Sequence, residues 1–382
     1  MASVEKRVRN GKQTWLARWR DPDGRQRKRS FARKVDADRF LAKVNAEMLR
    51  GEYVDPSDPT TFREYAERWR VSQVHRPTTQ AHVETNLRRH VYPHFGDRRL
   101  NSVRPSEIQS WVTRLTATLS PATVQVLHGI VASIYKSAIR DRHVNASPCE
   151  GTKLPKKQPR EVVPLRTEIV HSIAETIPER YHALVVLAAG TGMRQGECFG
   201  LTLDRIDFMR GTVRVDRQLV HLARKEPVLA PPKTIASHRT IPLPTVVVTA
   251  LVEHVRRYPI THPEGLIFTD DDGKPLRRTA FSREIWRPTL AAVPDAPAGT
   301  GMHDLRHYYA SLLIRHGESV KTVQSRLGHA TAAETLDTYA HLWPDSAETT
   351  RDAVDQVLGR TSTERTDRED VTLRSPSATS RP

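Results

Sequence analysis

The sequence predicts a multidomain chain: a small α+β N-terminal domain made of a three-stranded sheet plus a helix, an all-α four-helix domain, and a mixed, mainly-α domain with a small antiparallel β-sheet. Three observations predict it. Strand-like alternation around a turn signal occupies residues 15–31, helical periodicity broken at prolines runs from Thr61 to about Val144, and a β-rich stretch from Thr212 to Leu243 lies within an otherwise helical pattern. With 382 residues the chain has room for two or three domains. The boundaries fall at 1–55, 56–150 and 165–359, with a basic linker at 151–164 and a disordered tail at 360–382.

Trp15-Leu16-Ala17-Arg18-Trp19-Arg20 alternates with period two, Asp21-Pro22-Asp23-Gly24 is a turn signal, and Arg25 to Phe31 is the return strand of a basic hairpin. A helix follows over Val35 to Arg50, with Val35, Ala37, Phe40, Leu41, Val44 and Met48 near helical spacing and Gly51 as its stop. Trp15 and Trp19 supply this domain's small core. Val54-Asp55-Pro56-Ser57-Asp58-Pro59 marks a linker by its Pro and Asp content. The next domain carries helices at Phe62–Ser72, Thr78–Tyr92, Pro105–Thr118 and Pro121–Asp141, separated by Pro77, Pro93-His94-Phe95-Gly96 and Ser120-Pro121. Residues 151–164 hold three prolines and four basic residues, an extended basic linker rather than a packed element. The third domain begins near Leu165 and places helices at Tyr181–Ala189 and Arg194–Leu201 before the β-rich stretch; helices resume after Ala280. Beyond Gly359 the chain is rich in Ser, Thr, Arg and Asp and poor in apolar residues, the composition of a disordered tail.

Composition narrows the function. Sixty Lys and Arg against 44 Asp and Glu leave a formal charge of +16, which points to a polyanionic partner, nucleic acid before membrane. The charge is uneven. Residues 1–51 hold 15 basic and six acidic side chains, so +9 of the +16 lies there. The longest apolar run, Ala183 to Ala189, is far short of the ~20 residues that span a bilayer, so no membrane partner is expected. Charged residues at Met1 to Asn10 without an apolar segment after them do not read as a secretory signal. Cys149 and Cys198 are the two cysteines, and neither sits in a C-x-x-C pattern, so a disulfide scaffold and a Cys-based zinc site are excluded. A cytoplasmic location follows as the expectation.

The third domain carries Thr191-Gly192-Met193-Arg194-Gln195-Gly196-Glu197, then Pro232-Lys233-Thr234, His303-Asp304-Leu305-Arg306-His307, Leu327-Gly328-His329 and Thr338-Tyr339. In this order and spacing they resemble the tyrosine recombinase (phage integrase) family, whose catalytic pattern is Arg, Lys, His-x-x-Arg, His or Trp, and Tyr. The resemblance covers most of residues 165–345 and is most specific between His303 and Tyr339. Upstream, the basic sheet domain and the four-helix domain look like the arm-type DNA-binding domain and the core-binding domain of the integrase branch. One departure is Leu203, where the family often has Trp; it touches packing and not chemistry.

The residues support that resemblance on physical grounds. His303 and Arg306 stand at i and i+3 on a helix whose apolar stripe is Leu305, Tyr309, Leu312 and Leu313, so both project from one face. Gly317 ends this helix, Ser319 caps the next, and Gly328 stops that one and leaves His329 at a turn. Thr331-Ala332-Ala333-Glu334 is a capping box that starts a short helix presenting Tyr339 about two turns later. Transfer of a phosphodiester passes through a charged pentacoordinate state, for which Arg194 and Arg306 are the natural clamp. Tyr339 is the expected nucleophile, favoured as phenolate by adjacent Arg and imidazole groups. Lys233 is the candidate donor of a proton to the expelled 5′-oxygen, His303 a general acid/base or phosphate donor, and His329 a second donor. Glu197 orients these side chains, as the family's acidic residue at that place does. The resemblance implies no cofactor, because the phosphotyrosine stores the bond energy without ATP or metal. His303 and His307 form an H-x-x-x-H pair, but Asp304 replaces the Glu of the zinc-protease version and Arg306 would put a cation beside the metal, so no metal site is expected. His307 and Tyr308 read as structural, and Cys198 as a core thiol.

The resemblance implies a site-specific integrase that forms a 3′-phosphotyrosyl bond and assembles as a tetramer on double-stranded attachment-site DNA of core and arm types. An excisionase and a DNA-bending host factor are the accessory partners the family uses, and the implied location is cytoplasmic, nucleoid-associated in a bacterial host. Lys12, Arg18, Arg20, Arg25, Arg27, Lys28 and Arg29 are the candidate arm-site contacts, and Lys153, Lys156, Lys157 and Arg160 the candidate contacts of the linker. The alternatives are a type IB topoisomerase-like enzyme, a resolvase, and a non-catalytic DNA-binding regulator. The charge distribution makes one prediction: deleting residues 1–55 flattens the salt dependence of binding to arm-site DNA and leaves Tyr339-dependent cleavage of core sites intact. Loss of cleavage with that segment would contradict it.

Overall fold

A computed structural model describes residues 2–9, 12–22, 24–51, 53–55, 57–157, 161–221, 226–343 and 347–358. The proposed tail at 360–382 lies outside the described residues, as does Arg160. Two compact units make up the chain: Met1–Pro159, and Arg160–His221 with Glu226–Pro382.

The first unit opens with an antiparallel meander of β1 (Ser3–Arg9), β2 (Lys12–Arg20) and β3 (Gln26–Phe31), in spatial order β1-β2-β3. Its second turn works as the sequence implies: an Asp21 carboxylate oxygen accepts from Arg25 N–H at 2.8 Å and Gly24 takes φ +81°. α1 (Lys34–Leu49) covers one face of the sheet, where Ala17 and Trp19 meet Ala37, Leu41, Val44 and Tyr53. The Trp19 indole N–H donates to the Tyr53 hydroxyl at 2.9 Å, which satisfies the buried donor.

α2 (Phe62–Ser72) starts at the Thr61–Glu64 capping box. α3 (Pro77–Asn86) passes through a π-helical turn, Leu87–Val91, into α4 (Tyr92–Phe95), where one uninterrupted helix to Tyr92 was expected. Pro93 is the cause: it lacks an N–H, and Tyr92 N–H bonds Leu87 C=O five residues back. α5 (Pro105–Thr116) and α6 (Pro121–Arg140) complete the helical group. Phe62, Ile108, Trp111, Leu127, Ile134 and Tyr135 are fully buried in its core. The polar tips inside are satisfied, Trp111 by His90 C=O at 3.0 Å and Tyr135 by Leu100 C=O at 3.2 Å. The linker corrects one expectation. Its first half is tied down and not merely extended: Lys153 N–H donates to Gln109 at 2.8 Å, Gln109 returns a bond to Lys153 C=O, and Gln125 donates to Pro155 C=O at 2.8 Å. Backbone groups that cannot enter a helix or sheet here find amide side chains on α5 and α6. Lys153, Lys156 and Lys157 remain exposed.

The second unit begins with α7 (Thr167–Thr176), α8 (His182–Thr191) and α9 (Gln195–Phe199). β4 (Ile206–Asp207), β5 (Thr212–Val215) and β8 (Arg239–Pro242) form an antiparallel sheet in order β4-β5-β8, and β6 (Gln218–Val220) pairs with β7 (Val228–Ala230) as a separate ribbon. α10 (Thr245–Arg257) follows directly, so helices resume well before Ala280. Its buried stripe is Val247, Leu251 and His254, a period of 3.6 obscured by the valines that precede it. α11 (Arg278–Phe281) runs through a π turn, Ser282–Trp286, into α12 (Arg287–Ala292), again with Pro288 in the second position. α13 (Met302–Arg315), α14 (Val320–Leu327), α15 (Ala332–Tyr339) and α16 (Ala347–Leu358) are the last helices among the described residues. α8 is apolar on nearly every side because α7, α10 and α13 all pack on it. Gly190 permits that approach: a Cβ there would lie 2.4 Å from Val247 Cγ2. Among the described residues no helix is long and apolar enough to cross a membrane.

Trp111 anchors the helical group of the first unit. Trp111→Ala is expected to cost about 3–5 kcal/mol of that group's stability, read from urea unfolding; a loss under 1 kcal/mol would contradict the packing described.

Candidate active site

Two helices of the second unit end on left-handed glycines, α8 at Gly192 (φ +63°) and α14 at Gly328 (φ +66°). Each position also lacks room for a side chain. A Cβ on Gly192 would lie 2.4 Å from the Tyr309 ring, and one on Gly328 3.0 Å from Ala236 C=O. These two ends converge on Arg306, which is 2% exposed and donates from Nη1 to Gly192 C=O and from Nη2 to Leu327 C=O, both at 2.7 Å. Burial, with Arg194 and Arg239 nearby, pulls the guanidinium below its usual pKa. It stays charged at neutral pH, since an arginine starts far above that range.

Arg194 precedes α9. Its N–H donates to one Glu197 carboxylate oxygen at 2.9 Å, its Nη1 to the other at 3.0 Å, and its Nη2 to Gly328 C=O at 3.2 Å. Glu197 is 2% exposed and is shared with Arg239 at the start of β8, whose Nη2 donates to it at 2.7 Å. Arg239 is itself held by Arg326 C=O at 2.7 Å and Ser237 C=O at 2.9 Å. Burial would raise the Glu197 pKa; the Arg239 hydrogen bond and charge, then Arg194, hold it below the ordinary value. Arg239 was not among the expected residues. An arginine opening a short alternating strand carries no sequence signal of burial.

α13 begins because Asp304 caps Gly301 N–H at 2.7 Å, which sets His303 in its first turn. His303 is exposed along one edge, whereas Arg306 turns inward, so the two diverge in burial though they share a helix face. Crowding by surrounding protein, then His307 and Arg306, lowers the His303 pKa. His303 and Arg194 line one cleft of about 780 Å³, together with Gln218, Arg278 and Arg287. His329 is buried after Gly328, with Nδ1 hydrogen-bonded to the Thr335 hydroxyl at 2.9 Å. Burial first, then Arg306, pulls its pKa to about 4.

Tyr339 closes α15 and is 1% exposed. Its hydroxyl lies 2.8 Å from His307 Nδ1. Burial pushes the phenol up to about 12, with Arg306 opposing and Glu334 adding to the rise. His307, expected to be structural, thus touches the Tyr339 oxygen, and its ring stands edge-on to His303 at 4.8 Å. Its signal was its place one turn beyond His303. Thr331 caps α15 through Glu334 N–H, while the Glu334 carboxylate accepts from Ala330 N–H and not from Thr331, so half of the expected capping box forms. Lys233 is exposed on the loop between β7 and β8, and among the described residues it makes no hydrogen bond or ion pair with the others. Arg194, Glu197, Arg306, His329 and Tyr339 are therefore brought together, with His303 at the rim and Lys233 apart. No group of three or more His, Cys, Asp or Glu able to hold a metal occurs among the described residues.

In the first unit, Arg18 pairs across the strands with Lys28, and with Lys12 and Arg20 both lie on the sheet face opposite the core, where Arg18 also meets Glu5 at 3.1 Å. Arg25 is exposed just after the turn. Arg27 and Arg29 fall on the other face. Arg27 is held by Asp21 at 2.9 Å and Asp55 at 2.6 Å, and Arg29 lies over the Phe31 and Phe40 rings at 5.3 and 5.1 Å. Both are engaged within the domain.

Residues 162–345 match the phage integrase family, and residues 61–116 match the phage integrase N-terminal SAM-like domain. The chain belongs to the phage integrase family. It is a tyrosine recombinase, an enzyme of site-specific DNA cleavage and rejoining. The recombinase is 28% identical over 336 residues to a protein of Mycobacterium tuberculosis that bears the name of the prophage phiRv2 integrase, covering 84% of this chain and 87% of that one. Its fold is similar to the Tn1549 transposon integrase in complex with a circular intermediate DNA, at 21% identity and TM-score 0.65, with 77% of this chain and 98% of that chain covered. The lambda integrase tetramer bound to a Holliday junction is also similar, at 18% identity and TM-score 0.57, with 86% and 96% covered.

The buried histidine gives the recombinase a definite acid limb. Below 6.5 the unfolded chain protonates at His329 and the native state does not, so stability falls as pH drops from 6.5 towards about 4. In urea titrations across that window, His329→Gln is expected to flatten the slope; an unchanged slope contradicts the assignment.

Proposed function

We propose that the recombinase is an integrase that inserts a phage or mobile element, and with accessory proteins excises it, through a 3′-phosphotyrosyl intermediate on attachment-site DNA. The observation that carries this reading is the convergence of Arg194 and Arg306 through the glycine-capped ends of α8 and α14, with Tyr339 packed beside Arg306. Arg194 and Arg306 clamp the non-bridging oxygens of the scissile phosphate. Tyr339 attacks phosphorus, and the 5′-oxygen leaves with a proton from Lys233, whose exposed ammonium would have to come over the bound strand. His303 at the rim and His329 behind it donate hydrogen bonds to the phosphate. Glu197 holds Arg194 in place and neutralises part of the charge of Arg239.

In the same reading, residues 1–55 bind arm-type sites, 56–150 and 165–359 bind the core site, and 151–164 crosses the duplex with Lys153, Lys156 and Lys157 exposed. The lambda integrase tetramer on a Holliday junction supports assembly of four protomers on DNA. α16, with Val354, Val357 and Leu358 exposed, docks on a neighbouring protomer.

A plasmid carrying two attachment sites tests the function. The wild type is expected to recombine them only when both are present, and Tyr339→Phe to bind both and recombine neither. Relaxation of supercoils without dependence on paired sites would overturn the integrase reading in favour of a topoisomerase-like one.

A further inference from the structure

We propose that His307 is the base that takes the Tyr339 proton during strand cleavage and returns it during rejoining. The inference rests on Tyr339 being the nucleophile. A general base must lie within hydrogen-bond reach of the proton it removes, and His307 Nδ1 is 2.8 Å from the Tyr339 hydroxyl. Among the described residues His307 is the hydrogen-bond partner that this hydroxyl has. His303 is one ring further away, its centroid 4.8 Å from that of His307, and opens on the cleft that Arg194 lines.

His307 also has somewhere to send the proton. It lines a second cleft, of about 620 Å³, with Asp304, Asp295, Glu161 and Arg166. The two clefts share Pro297, Ala298, Gly299 and Thr300, just before α13, and His303 opens to the one beside Arg194 and His307 to the other. The groups around His307 are Asp304, Arg306 and His303 on α13, Tyr339 on α15, and Glu161, Arg166 and Asp295 around the cleft. Burial lowers its pKa, Asp304 opposes and Arg306 adds to the fall, which keeps the ring neutral and ready to accept at neutral pH.

The step balances. As the Tyr339 oxygen bonds phosphorus and the bond to O5′ breaks, the phenolic proton moves to His307 Nδ1, and the departing O5′ takes its proton from a different donor. In rejoining, the 5′-hydroxyl attacks, and the imidazolium protonates the leaving phenolate.

The test compares single-turnover formation of the covalent adduct on nicked core sites with a 5′-oxygen or a bridging 5′-sulfur at the scissile phosphate. The thiolate leaves without needing a proton, so the sulfur substrate bypasses a missing acid and not a missing base. His307→Gln and His307→Ala, at DNA affinity and circular dichroism equal to wild type, are expected to slow both substrates by about 10²–10⁴-fold, with added imidazole restoring His307→Ala. Lys233→Ala is expected to slow the oxygen substrate alone. Rates within threefold of wild type for the folded His307→Gln protein, or rescue of it by sulfur, would overturn the proposal. Should the substitutions prevent folding, the wild-type pH–rate profile decides: a rate flat from pH 7 to 9 supports a neutral imidazole base, and a tenfold rise per pH unit overturns it. An adduct formed by Tyr339→Phe would instead overturn the nucleophile assignment.

Discussion

Arg306 is the constraint on which the site depends. A cation buried to 2% exposure loses most of its hydration, and it is tolerable only where fixed dipoles replace the water. The fold supplies the ends of two helices. Gly192 C=O and Leu327 C=O are terminal carbonyls that no later turn satisfies, and each carries the negative end of a helix dipole. Arg306 satisfies both at once and so fixes where α8 and α14 stop, which in turn sets Arg194 after one and His329 after the other. Replacing it with lysine would keep a charge and lose the planar fork that reaches two carbonyls.

Around that cation the charges alternate. Glu197 sits between Arg194 and Arg239, and Arg239 is tied to backbone carbonyls on either side of it. The carboxylate offsets part of the repulsion among three guanidinium groups without touching the Arg306 donors. The remaining positive charge is what a phosphate would neutralise. The same surroundings hold His329 neutral and bury the Tyr339 phenol, so a bound polyanion changes the electrostatics of every group in the site together.

Much of this was legible in the sequence because it is local. Gly317, Ser319, Gly328 and Thr331 punctuate helices by backbone chemistry that depends on neighbours within four residues, and the structure follows them. His303 and Arg306 were found by their spacing in one turn. What was not legible comes from contacts across long stretches of chain. Arg239 meets Glu197 from 42 residues away, and His307 reaches Tyr339 across 32. Its place one turn beyond His303 marks His307 as a neighbour of the site, but nothing near it in the sequence distinguishes a ring that touches the phenol from one that fills a core. The π turns at Leu87–Val91 and Ser282–Trp286 were missed for a different reason, since a proline inside a strong apolar pattern can end a helix or widen it. Gln109 tethering Lys153 likewise needed a partner 44 residues distant.

The central claim is that these residues form one phosphoryl-transfer site whose attacking atom is the Tyr339 oxygen. Mass spectrometry of the peptide left attached to DNA after trapping on a nicked core site measures it most directly. The account predicts a single modified peptide, with a 3′-phosphoryl nucleotide on Tyr339 and on no other residue. A nucleotide on another side chain, or a link through a 5′-phosphate, would contradict it.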